Sequence, residues 1–198
     1  MRIVPALLLL LPLLAACGSE SAPPEEPSEA AADVPITSRA VAAVALEYVP
    51  QDTTDRGPTY VEPGQATETV GADLRYNGDG EYDGDLVSVM ITTDLPEVFC
   101  EPGNDRCVER EVDGGTLYLL WDEVAPEEDP GVVSVAMVRG EEMVLVGYSG
   151  VPIEGDPREQ ELPVPVETLE SLAQDERLGL TTTQDVVDAG EDVTDWQE

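Results

Sequence analysis

The chain predicts an α+β domain, a single unit with an N-terminal helix, an antiparallel meander-type sheet of about five or six strands, and one or two short C-terminal helices. Three observations carry that prediction. Apolar and polar residues alternate in successive stretches between 70 and 148, the signature of half-buried strands. Asn-Gly, Asp-Gly and Gly-Glu pairs separate those stretches, as hairpin turns do. Helix-period apolar patterns occur only outside them, before residue 50 and after residue 165. Consecutive hairpins imply a meander, and the helices are expected to cover one sheet face.

Taken in order, Thr37 or Ser38 caps a helix running to about Val49, where Pro50 stops it. Val41, Val44, Ala45 and Tyr48 fall at i, i+3, i+4 and i+7, so one face is apolar. That face is rich in alanine and nearly without basic residues, which suits core packing better than a membrane surface. Gln51–Thr69 is polar, holds Pro58, Pro63 and Gly64, and predicts a long loop. Val70, Ala72, Leu74 and Tyr76 then alternate with Gly71, Asp73 and Arg75, and Asn77-Gly78 with Asp79-Gly80 marks a turn.

Leu86–Thr92 predicts the next strand, with Val87, Val89 and Ile91 on one face. Arg106–Val112 leads through Asp113-Gly114-Gly115 into Thr116–Asp122, a hairpin. Val132–Arg139 and Met143–Tyr148 flank Gly140-Glu141 and carry the strongest strand character through their valines. Val151–Val164 is proline-spaced and extended. Val166, Leu169 and Ala173 fit a short helix to about Asp175. Thr181 and Gln184 have capping-box spacing for a last helix ending at Gly190. The tail from about Glu191 is acidic, and Trp196 is expected to dock it.

Composition excludes whole classes of chemistry. Asp and Glu total 43 against 9 basic residues, a formal charge of -34, and every basic residue is arginine. A nucleic-acid footprint needs positive charge facing phosphate, so no nucleic-acid partner is expected. With no histidine there is no imidazole base, and with no lysine there is no Schiff base. Carboxylate chemistry remains. An acidic, lysine-free composition also follows from a GC-rich genome or a salty habitat.

The N-terminal stretch sets the expected location. Arg2 precedes an apolar run, Ile3–Leu14, interrupted by Pro5 and Pro12. The run is shorter than the roughly 20 residues a spanning helix needs. It ends in Leu14-Ala15-Ala16-Cys17. This resembles the lipobox of bacterial lipoproteins. The resemblance covers residues 1–17 and implies a diacylglyceryl group on Cys17 and cleavage between Ala16 and Cys17. It makes residues 1–16 a signal peptide. Residues 17–35 are then a lipidated N-terminus and a disordered Pro/Glu/Ala/Ser-rich tether, and 36–198 the acidic domain. The alternative is an ordinary cleaved signal with an incidental cysteine.

Two acyl chains, palmitate-like in length, would hold stably where one is marginal, each buried CH₂ contributing about 0.8 kcal/mol. The acidic body gives that anchor no help at an anionic membrane. Gly18 stands where an Asp would resemble an inner-membrane retention signal.

Cys100 and Cys107 bracket a turn-forming Glu101-Pro102-Gly103-Asn104-Asp105-Arg106 and predict a disulfide in an oxidising compartment. Such a short loop should gain about 2–3 kcal/mol. The acidic turn places Asp79, Glu81 and Asp83 at calcium-loop positions 1, 3 and 5, with Asp85 beyond. Position 12, a bidentate Glu in an EF-hand, is Met90, so an acidic β-turn is the first reading and calcium the second. Gly147-Tyr148-Ser149-Gly150 lacks the final glycine of a nucleophile elbow, which Val151 replaces, and no histidine can serve as base.

The function these features favour is a non-enzymatic binding or accessory module of the cell envelope. It would be lipid-anchored on the extracytoplasmic face of the cell membrane, with an envelope protein or ligand as partner and no cofactor beyond the lipid. A carboxylate-dependent hydrolase is the alternative, and calcium-dependent binding a lesser one. In general character the domain is similar to acidic lipoproteins of high-GC Gram-positive bacteria. That likeness implies a location and no particular activity.

Overall fold

Alternation of apolar residues builds a seven-stranded antiparallel sheet with two distinct faces. The computed structural model describes residues 33–49, 52–60, 68–76, 85–123 and 130–197, all within the compact unit Ala31–Glu198. The elements are β1 (Val34–Pro35), α1 (Ser38–Ala45), β2 (Thr53–Pro58), β3 (Thr69–Tyr76), β4 (Leu86–Thr92), β5 (Cys107–Val112), β6 (Gly115–Asp122), β7 (Val132–Arg139), β8 (Glu142–Ser149), α2 (Val166–Ala173), β9 (Thr181–Thr182) and α3 (Gln184–Glu191). A single turn of 3-10 helix covers Pro157–Glu159. The large sheet runs β2-β3-β4-β8-β7-β6-β5, and β1 pairs with β9 in a separate two-stranded sheet.

Two expectations about the sheet are corrected. The strand count exceeds five or six because β2 lies inside the stretch read as a loop. Thr53-Thr54-Asp55-Arg56-Gly57-Pro58 has no apolar alternation. It forms a strand because β3 supplies its partner and its place at the edge tolerates Gly and Pro. The sheet is also not one meander. β2-β3-β4 and β5-β6-β7-β8 are each consecutive, but β8 lies beside β4, with Val87, Val89 and Ile91 opposite Tyr148, Val146 and Val144. Residues 93–106 therefore connect the sheet's interior to its far edge.

The inner face carries Leu74, Val87, Val89, Ile91, Leu117, Leu119, Val133, Val135, Val144 and Val146, all buried. The helices cover that face: α1 packs on β3, α2 over β7 and β8, and α3 against α1. Thr37 caps α1, its hydroxyl accepting the Ala40 N–H at 3.2 Å. The helix proper ends at Ala45, and looser turns carry it to Val49. Ala40 and Ala42 are buried as well as the predicted face, because α1 is enclosed by both sheet and α3.

At the α1–α3 contact Gly190 comes so close that a Cβ there would sit 2.6 Å from the Ala40 nitrogen. Gly190 is thus a packing glycine inside α3, which runs to Glu191, rather than the residue that ends it. The capping box at Thr181 does not form either. Thr181 belongs to β9 and Thr183 precedes α3. β1 starts at Val34, just inside the stretch assigned to the tether.

Arginine finishes the core. Arg139, at the end of β7, donates to the carbonyls of Ala173, Asp175 and Leu178 at 3.1, 3.2 and 2.9 Å. It thereby satisfies acceptors left over where α2 ends. No helix among the described residues is long and apolar enough to cross a membrane.

Candidate functional site

The two edges of the sheet end differently. At β2 the chain's own tail closes the edge. The Gln197 N–H donates to the Arg56 carbonyl at 2.7 Å, and Arg56 bridges Trp196 in parallel register. The Arg56 guanidinium donates to the Thr194 carbonyl at 2.9 Å, and the Arg39 guanidinium lies 5.4 Å from the Trp196 ring centre. Gly57 keeps the approach close, since a Cβ there would stand 3.2 Å from the Gln197 oxygen. The expectation that Trp196 docks the tail holds.

At β5 nothing among the described residues takes that place. Trp121 N–H donates to the Arg106 carbonyl at 3.1 Å, and these residues stand directly opposite. In an antiparallel ladder directly opposite pairs alternate between bonded and non-bonded. Val108–Leu119, Arg110–Leu117 and Val112–Gly115 are therefore the bonded pairs, and Cys107, Glu109 and Glu111 turn their N–H and C=O groups outward. Glu109, Arg110 and Glu111 are exposed.

Each face beside this edge has its own chemistry. On the inner side a cavity of about 190 Å³ has apolar walls of Val108, Leu117, Leu119 and Val166, with Arg110, Arg158, Glu167 and Glu170 at its rim. Arg110 pairs with Glu170, and Arg158 with Asp156. On the outer side Glu109 stands opposite Tyr118, and Phe99 stacks on Tyr118 at 4.2 Å between ring centres. Partial burial, with Glu109 and Glu111 adding to it, raises the Tyr118 phenol above its ordinary value.

The predicted site residues separate. Cys100 and Cys107 form a disulfide, Cα atoms 5.4 Å apart, and tie the 93–106 connection to the start of β5. Cys17 and the Ala16–Cys17 bond lie outside the described residues, as do Asp79, Glu81 and Asp83. Asp85 is described: its carboxylate accepts the Tyr148 hydroxyl at 2.6 Å and lies against Gly150, where a Cβ would overlap it. Burial, then that carboxylate, pushes the Tyr148 phenol far up. Tyr148 is buried on the inner face and β8 runs on to Ser149, so Gly147-Tyr148-Ser149 is the end of a strand and not an elbow. Among the described residues no group of three or more Cys, Asp or Glu is placed to hold a metal ion.

Among the described residues three carboxylates have shifted pKa values, all downward. Arg177 holds Glu47 low, and Arg158 holds Asp156 low. Burial pushes Asp175 up, but hydrogen bonds from Arg177 and Tyr48 outweigh it and hold its carboxyl below the ordinary value.

Sequence reasoning identified β5 as a strand but not as an edge. The signal available was Glu109-Arg110-Glu111, three charges running across both faces of a strand, which edges favour. No family model matches this chain, and neither a curated protein nor a solved structure matches it.

Proposed function

We propose that the chain is an exported envelope protein, anchored by lipid on Cys17, whose domain acts by binding. The cysteine pairing carries this reading. Cys100 and Cys107 bond to each other, which leaves Cys17 as the one cysteine outside that pair, at the last position of Leu14-Ala15-Ala16-Cys17. The disulfide accords with an oxidising compartment. The downward shifts of Glu47, Asp156 and Asp175 come from ion pairs with Arg177 and Arg158.

The test is the Cys17→Ala chain beside the natural one in cells. The natural chain should fractionate with membranes and take up labelled palmitate. The variant should take up none, and either stay uncleaved or be released into the medium. Unchanged processing and unchanged membrane retention would overturn the anchor.

A further inference from the structure

We propose that β5 is a docking edge for an extended, basic peptide segment of a partner protein, which adds to the sheet as an eighth strand. The proposal rests on the binding half of the proposed function and is independent of the lipid anchor. Outward amides and carbonyls at Cys107, Glu109 and Glu111 offer the main-chain half of a ladder. The opposite edge already shows this sheet accepting an added segment, since the chain's own tail lies along β2.

The register sets the side chains of the occupant. Residues directly opposite share a face, so those facing Glu109 and Glu111 lie on the outer face, where a cation is favoured. Those facing Val108, Arg110 and Val112 lie on the inner face, where Val108 walls the cavity and the Arg110 guanidinium is held by Glu170, so a β-branched side chain fits beside Val108 and Val112. The pattern is apolar and basic in alternation. A second copy of this chain is disfavoured, because pairing β5 with β5 brings Glu109 and Glu111 against their own kind, within two bodies of charge -34. The same charge draws a basic partner in.

The probe is a fluorescent, end-capped peptide of about eight alternating valines and lysines, titrated by anisotropy against the full chain in detergent. At about 0.15 M salt it should bind with a Kd below about 1 mM. N-methylation of alternate backbone amides should weaken binding at least about tenfold, because it removes ladder bonds and leaves charge intact. Glu109→Pro should do the same, and circular dichroism checks its fold. Glu109→Lys with Glu111→Lys should lose the lysine peptide by about tenfold and gain a valine–glutamate one.

No binding up to about 1 mM, or equal binding of the N-methylated peptide, would overturn the proposal. Loss on N-methylation without loss in a folded Glu109→Pro chain would place the peptide on another edge and overturn it too. If Glu109→Pro fails to fold, the N-methylated peptide and the double lysine variant decide. Failure here leaves the anchor standing, since membrane fractionation of Cys17→Ala tests that separately.

Discussion

The β2 and β5 edges belong to one sheet, yet the chain treats them oppositely. β2 has little strand character of its own, and the chain covers it with its last residues, using Trp196, Arg39 and Arg56. β5 has Val108, Arg110 and Val112 on its inner face and Glu109 and Glu111 on its outer one, and no described residue covers its free side, though Cys100–Cys107 fastens its start. A weak strand is held by covering it. A stronger one can be left uncovered if charge deters self-pairing and a covalent bond limits fraying.

Proline distinguishes the two sides of β5 most sharply. Arg110 donates its N–H to β6, so Arg110→Pro should cost about 3 kcal/mol in urea denaturation, through a lost ladder bond and an unsatisfied partner. The disulfide comes next. Replacing Cys100 and Cys107 by serine should cost about 2–3 kcal/mol and speed hydrogen exchange in β5 while leaving β2 unchanged. An equal change at both edges would show that the disulfide steadies the whole sheet instead.

The Trp196→Ala change tests the covered edge. It should cost about 1–2 kcal/mol through lost burial and the Arg39 contact. Size-exclusion chromatography should then show concentration-dependent self-association through β2, which has no acidic pair like Glu109 and Glu111 turned outward. A strictly monomeric variant would mean that the tail does not guard that edge.

How much of this the sequence conveyed differs between the edges. β3 through β8 were legible because Val87-Val89-Ile91 and Val133-Val135-Met137 alternate strictly, a pattern set by the pleat itself. β2 was not, because its strand form comes from pairing with β3 rather than from its own residues. The β4–β8 junction was not legible either: Val144, Val146 and Tyr148 suit several neighbours, and only three-dimensional packing chooses Ile91, Val89 and Val87. The openness of β5 follows from that junction, which sends β5 to the rim. The disulfide was legible, since Cys100 and Cys107 flank a turn sequence. Arg139 reaching the end of α2 was not, since its acceptors come from 34 to 39 residues away.

Acid probes the Glu47–Arg177–Asp175 network, which joins the segment after α1 to the end of α2. Hydrogen bonds from Arg177 and Tyr48 hold the Asp175 carboxyl below its ordinary value, and Arg177 holds Glu47 below its own. A depressed pKa stabilises the fold above the unfolded value, and that stability is lost as pH falls through the folded value, here below about pH 4. The comparison with Arg177→Ala is what reads the network. The melting temperature of the natural chain should fall more steeply between about pH 5 and pH 3 than that of Arg177→Ala. Parallel slopes would show that the Glu47–Arg177–Asp175 network adds nothing. The smallest effect belongs to Glu109→Pro, which removes an N–H that bonds nothing in the ladder and should stay within about 0.5 kcal/mol of the natural chain.

Residue-resolved amide hydrogen exchange by NMR on the peptide-free chain tests the contrast between the edges most directly. Glu109 and Glu111 should exchange close to unprotected rates, while Val108 and Arg110, their immediate neighbours, are slowed with the rest of the ladder. Gln197, almost at the end of the chain, should be slower than Glu109, because its N–H is bonded to Arg56. Equal protection of Glu109 and Val108, or an unprotected Gln197, would contradict an open β5 edge and a covered β2 edge.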